Sequence, residues 1–129
     1  MPLQWTISHP KRLVVAVAKG EVRPRAMVDF LAALDAASAR PYAKLIFVEK
    51  LVTTFSEDSV VALANLVRKR EEESEVGPIA IITQDDATFE QARQFAHVAQ
   101  LVRPIMVFRE WHEGRRWIDA FIAGRADAA

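Results

Sequence analysis

Leu45-Ile-Phe-Val48, Ile79-Ala-Ile-Ile82 and Ile105-Met-Val-Phe108 are each apolar without interruption. A strand with one wet face alternates in polarity, whereas a strand covered on both faces reads as a continuous apolar run, the mark of parallel pairing. Parallel neighbours need a crossover of a dozen or more residues, usually a helix. The intervening segments supply helices. Met27, Phe30, Leu31, Leu34 and Ala37 recur with the i, i+3, i+4, i+7 rhythm of one buried face, opened by Pro24 and closed by Pro41. Val60, Leu63, Ala64 and Val67 form a second stripe, and Phe89, Ala92, Phe95, Ala96 and Ala99 a third. A last helix, Glu110 to about Ile122, is expected to bury Trp111, Ile118 and Phe121, with Trp117 as a further candidate.

The start of the chain differs. Leu3-Gln-Trp-Thr-Ile7 alternates, Ser8-His9-Pro10-Lys11 is turn chemistry, and Leu13–Ala18 is β-branched and apolar up to Gly20. So short a connection makes an antiparallel hairpin. The predicted fold is α/β: a single domain over residues 1–129 in the order β-β-α-β-α-β-α-β-α. Its largely parallel five-stranded sheet has an antiparallel N-terminal edge hairpin, and residues 125–129 are expected to fray.

Composition narrows the function classes. The 129 residues carry 17 basic and 17 acidic side chains, so no overall basic field favours nucleic acid or an anionic membrane. There is no cysteine, which removes disulfides, thiolate metal sites and cysteine nucleophiles. The first ten residues lack a basic segment followed by an apolar signal core, and no apolar run approaches the roughly 18 residues of a membrane span. The expectation is a soluble cytoplasmic domain. The charged run Arg68-Lys-Arg-Glu-Glu-Glu-Ser-Glu75 nearly cancels along a helix surface and is read as a solvated face.

Catalytic motifs fail in turn. The three histidines sit in a turn and on two different helices, without metal-site spacing. The four glycines build neither a dinucleotide turn nor a phosphate loop, and no nucleophile elbow is present. No cofactor, metal or catalytic residue is expected, and the chain is read as non-enzymatic. What remains is the stretch from Lys44 through Glu49 to Phe55-Ser-Glu-Asp-Ser-Val60. It lies at the carboxyl end of a parallel strand, where open α/β folds place ligands. Two N-caps compete for the following helix: Thr54, with Glu57 completing a capping box, and Ser56, with Phe55 and Val60 as a hydrophobic staple. Ser56 is preferred, because Glu57 and Asp58 then fall in the first turn.

From about Leu13 to Phe121 the chain resembles the SpoIIAA-like branch of the STAS (sulfate transporter and anti-sigma-factor antagonist) superfamily. The resemblance is carried by Gly20 after the second strand, Tyr42 before the third, and Ile79–Ile82 followed by an acidic turn. The ending Val107-Phe-Arg-Glu-Trp-His-Glu-Gly-Arg-Arg-Trp-Ile118 resembles that family's final strand and Trp-containing helix. It implies a βα-superhelical domain that works as a regulatory or protein-interaction module. In some relatives a kinase phosphorylates a serine at the start of the second helix, in an Asp-Ser-Ser-Gly run after a Phe. Here Ser59 falls near that position, but Val60 replaces the glycine and Glu57 and Asp58 already place negative charge beside the hydroxyl.

The implied partner surface comprises Glu49, Thr54, Ser56, Glu57, Asp58 and Ser59. A comparison of that branch with lipid-binding SEC14-type domains implies a second reading, a pocket for a small apolar, lipid-like or anionic ligand, with Phe47, Phe55, Phe89 and Phe108 as aromatic candidates. A third reading is a homodimeric module using Trp5 and Trp111.

Overall fold

The computed structural model describes residues 3–51, 56–99 and 104–128. Strands β1 (Leu3–Ser8), β2 (Leu13–Gly20), β3 (Ala43–Leu51), β4 (Ile79–Ile82) and β5 (Ile105–Phe108) form one sheet in the spatial order β1-β2-β3-β4-β5. β1 and β2 pair antiparallel, with Leu3 opposite Ala18 and Ser8 opposite Leu13. The remaining pairs are parallel: Leu13 lies beside Ala43, Lys44 beside Ile79, and Ile79 beside Ile105. The α/β class, the mixed sheet and the edge hairpin agree with the sequence reading.

Helices α1 (Pro24–Ala36), α2 (Glu57–Glu73) and α3 (Asp86–Ala99) are the three crossovers. Right-handed crossovers that all advance in one direction must lie on one face of the sheet. The packing shows this. Val14, Ala16 and Ala18 of β2 pack with Phe30 and Leu34 of α1. The alternate residues, Leu13 and Val15 with Leu45, Ala80 and Ile82, pack with Ile118 on the opposite face, under α4 (Trp111–Ala128). Because the strand order never reverses among the described strands, the sheet has no topological switch point, the feature that opens a ligand crevice at strand ends in doubly wound folds.

Several boundaries move from their predicted places. α1 ends at Ala36, well before Pro41, because a Schellman motif stops it. Ser38 N–H donates to the Asp35 carbonyl and Ala39 N–H to the Leu34 carbonyl, with Ser38 at φ +56°. That left-handed position normally belongs to glycine. Ser38→Gly is therefore expected to stabilise the domain by about 1 kcal/mol, read as a higher urea midpoint. At the other end of the chain, α4 runs to Ala128 rather than ending near Ile122. Trp111 is a second correction. It is 57% exposed, because the buried stripe of α4 starts only at Gly114, and Ile118 and Trp117 continue it. A Cβ on Gly114 would lie 2.9 Å from Ile82 Cδ1, so its glycine permits a close approach of α4 to β4.

Candidate functional site

Lys44 is the second residue of β3, where parity puts its side chain on the face shared with Ile46 and Val48, beneath the three crossover helices. It is only 4% exposed. An ammonium that deep must be hydrogen-bonded. Nζ donates to the Arg40 carbonyl at 2.6 Å and the Tyr42 carbonyl at 2.8 Å. Those carbonyls belong to the turn between α1 and β3, which is held by Gly77 N–H donating to the same Arg40 carbonyl.

A second cation comes from α2. Arg70, 7% exposed, donates through Nη1 and Nη2 to the two oxygens of Asp35 at 2.8 and 2.6 Å. Arg40 grips the same carboxylate from the other side, Nε at 2.6 Å and Nη2 at 3.0 Å, and its Nη1 reaches Glu73 and Ser74. Hydrogen bonds from Arg40 and then from Arg70 hold the Asp35 carboxyl far below the usual carboxylate range. The same pairing raises Arg40 above its ordinary value. This cluster fastens the carboxyl ends of α1 and α2 together.

Towards the other ends of those helices lies an apolar cavity of about 160 Å³. Its floor is the sheet, at Ala18, Ile46, Val48 and Ile81; its walls are Phe30 and Leu31 of α1, Val60 and Val67 of α2, and Ala92 and Phe95 of α3. Small residues explain the space: Ala18 and Ala92 stand where a larger side chain would fill it. Arg40, Lys44 and Arg70 contribute to the lining, with Thr88 and Gln91 as the other polar members. An outer groove of about 190 Å³ runs between α1 and α2, lined by Pro24, Val28, Ser59, Ala62 and Leu66. Met27 and Leu63 line both spaces and so form the partition between them.

The residues singled out in the sequence fall in three places. Ser56 is the N-cap of α2, its Oγ accepting from Ser59 N–H at 3.1 Å and donating to Ser59 Oγ at 3.0 Å. Ser56→Ala is expected to cost about 1 kcal/mol, seen as a lower urea midpoint. Glu57 begins the helix, Asp58 is exposed, and Ser59 borders the outer groove. Glu49 is exposed and pairs with Lys19 at 3.5 Å. Thr54 and Phe55 lie outside the described residues. Among the described residues the aromatic candidates do not converge on the cavity: Phe47 and Phe108 pack on the α4 face, and Phe89 lies under the Arg109 guanidinium, 4.2 Å from its ring centroid. Trp5 packs inward on Phe30 at 5.2 Å between ring centroids, whereas Trp111 stays exposed.

Sequence reasoning missed Lys44, Arg70 and Asp35. Arg70 continues the buried stripe of Leu63 and Val67 at helical spacing, a signal hidden by the surrounding charge run, so that run is a solvated face with one inward member. Among the described residues no helix is long and apolar enough to cross a membrane, and no group of three or more His, Asp or Glu could hold a metal ion. No family model, curated protein or solved structure matches this chain.

Proposed function

We propose that this chain is a binding domain that holds a small apolar molecule between its sheet and helices α1–α3. The observation that carries the reading is the cavity itself. At about 160 Å³ it is comparable with an engineered apolar cavity of about 150 Å³ that binds benzene. A largely apolar chamber with a few polar groups gathered in its wall is the usual form of a ligand site. Toluene tests it. Titration followed by methyl-resolved NMR is expected to shift Leu31, Leu63 and Val67 in wild type. Ala92→Leu, which fills the chamber, is expected to abolish those shifts while the protein remains folded. Unperturbed methyl signals in wild type at saturating toluene would remove the reading.

A second reading, a protein-interaction module of the regulatory kind, is favoured by the outer groove. Val28 lines it and is 45% exposed, and Ser59 sits at its edge. If the partner is a second copy, sedimentation should reveal a concentration-dependent dimer that Val28→Asp dissociates. A strict monomer at high concentration would remove that form of the reading.

A further inference from the structure

We infer that β5 is an interior strand of a larger sheet, formed when two copies of this chain pair their β5 edges antiparallel about a two-fold axis. The inference is independent of the cavity and of the α1–α2 groove. It starts from a mismatch between composition and position. Ile105-Met-Val-Phe108 is apolar throughout, like Ile79–Ile82, and such a run suits a strand covered on both faces. β4 meets that expectation, with every residue buried. β5 stands last in the sheet order and none of its residues is buried; Met106 is 49% exposed. The other edge is built as an edge. β1 alternates, and Gln4 and Thr6 turn polar side chains to water.

Natural edges are commonly blunted by charges, prolines or bulges. β5 carries no charge, and its register with β4 is unbroken from Ile79 opposite Ile105 to Ile82 opposite Phe108. Pro104 leaves the edge open, because its carbonyl is turned inward to accept from Ile79 N–H. Arg109, just beyond the strand, is drawn to α3: it donates to Asp86 and lies over the Phe89 ring. A parallel ladder bonds alternate residues of a strand to one neighbour. Pro104 and Phe108 accept from Ile79 and Thr83, so the main-chain groups of Ile105 and Val107 point away from β4. Their N–H and C=O groups are left for another strand. Antiparallel pairing through a two-fold at Met106 sets Ile105 opposite Val107 of the second copy, and the reciprocal hydrogen bonds of such pairs use all of these groups. The side chains favour a second copy over a foreign peptide. Ile105 and Val107 share the face of Ile79 and Ile81, and Met106 shares that of Ala80, so the seam is apolar on both faces. An extended peptide would leave its own two faces bare, whereas a second copy brings its own α3 and α4 to cover them. The two Met106 side chains then meet on the α4 face, beside the row Phe108, Trp117 and Phe121, whose ring centroids are 5.7 and 4.8 Å apart.

Sedimentation and amide hydrogen exchange test this on the wild-type protein. Two short strands with their flanking helices make a small interface, so the dimer is expected to dissociate reversibly, with a Kd of about 10 µM. As concentration rises through that range, exchange should slow at the Ile105 and Val107 amides, while those of Met106 and Phe108, bonded to β4, stay protected throughout. Met106→Lys is expected to weaken the dimer about tenfold, because the two-fold sets like charges face to face. The half-exposed position tolerates a charge in the monomer. Met106→Glu should behave the same way alone, and an equal mixture of the two variants should dimerise again as the hetero pair. A strict monomer overturns the inference, whether those amides are protected, which would place a segment of the same chain on the edge, or open, which would leave the edge to a foreign strand. A dimer unchanged by Met106→Lys overturns it too, and loss of that dimer in Val28→Asp would place the contact in the groove.

Discussion

Asp35→Ala is expected to destabilise the domain by about 3 kcal/mol, the low end of the range for a broken buried pair because the carboxylate is partly exposed. The loss comes from what is left behind rather than from what is taken away. Arg70 is buried and spends two donors on Asp35, so truncation strands a guanidinium that cannot reach water without moving α2. Arg40, less buried, keeps Glu73. The double variant Asp35→Ala/Arg70→Met should regain most of the loss, since removing both charges leaves no stranded ion. Urea unfolding of the two variants checks this, and a double variant no more stable than Asp35→Ala would show that packing rather than pairing decides.

The same cluster sets an acid limit. Asp35 has a lowered pKa in the native state, so between that value and the unfolded one the native protein binds fewer protons, and stability rises with pH. Its contribution is complete above about pH 4 and fades as the pH falls further. The stability difference between wild type and Asp35→Asn should therefore shrink on acidification below that point and stay constant above it.

Gly77→Ala is expected to cost about 3 kcal/mol or more, an overpacking effect at a place with no flexible neighbour to yield. A Cβ there would lie 2.5 Å from the Tyr42 carbonyl carbon and 2.7 Å from the Pro41 carbonyl oxygen, with the Tyr42 oxygen closer still. All three atoms are backbone. The turn must retreat, and it carries the carbonyls that hold Lys44. The variant should consequently lose urea stability, whereas Ser38→Gly, at the start of the same turn, should gain it.

The fold was legible because it depends on repeated, local signals. Continuous apolar runs marked the parallel strands, although β5 is an edge strand whose Met106 is 49% exposed rather than covered; the helical stripes marked the crossovers, and Ser56 marked the start of α2. The site was harder to read. Phe47, Phe89 and Phe108 attracted attention as aromatics, yet strand parity sends Phe47 to the opposite face from Ile46 and Val48. The buried cations were missed because Lys44 stands at the head of an apolar run and resembles a solvated strand end, while Arg70 is hidden among other charged residues. Asp35 joins Arg70 across 35 positions of sequence, and no periodicity reports a partner so far away. Cavities leave an even fainter trace, since Ala18 and Ala92 are ordinary residues until the space beside them is seen.

Met27 and Leu63 give the two spaces a common membrane of side chains. An occupant on either side would meet the same pair. Linkage requires that any such influence be mutual: if filling the interior alters affinity at the α1–α2 groove, occupation of the groove alters interior affinity by the same factor. Under the two proposed readings, the partition is where occupation of one space would be felt in the other.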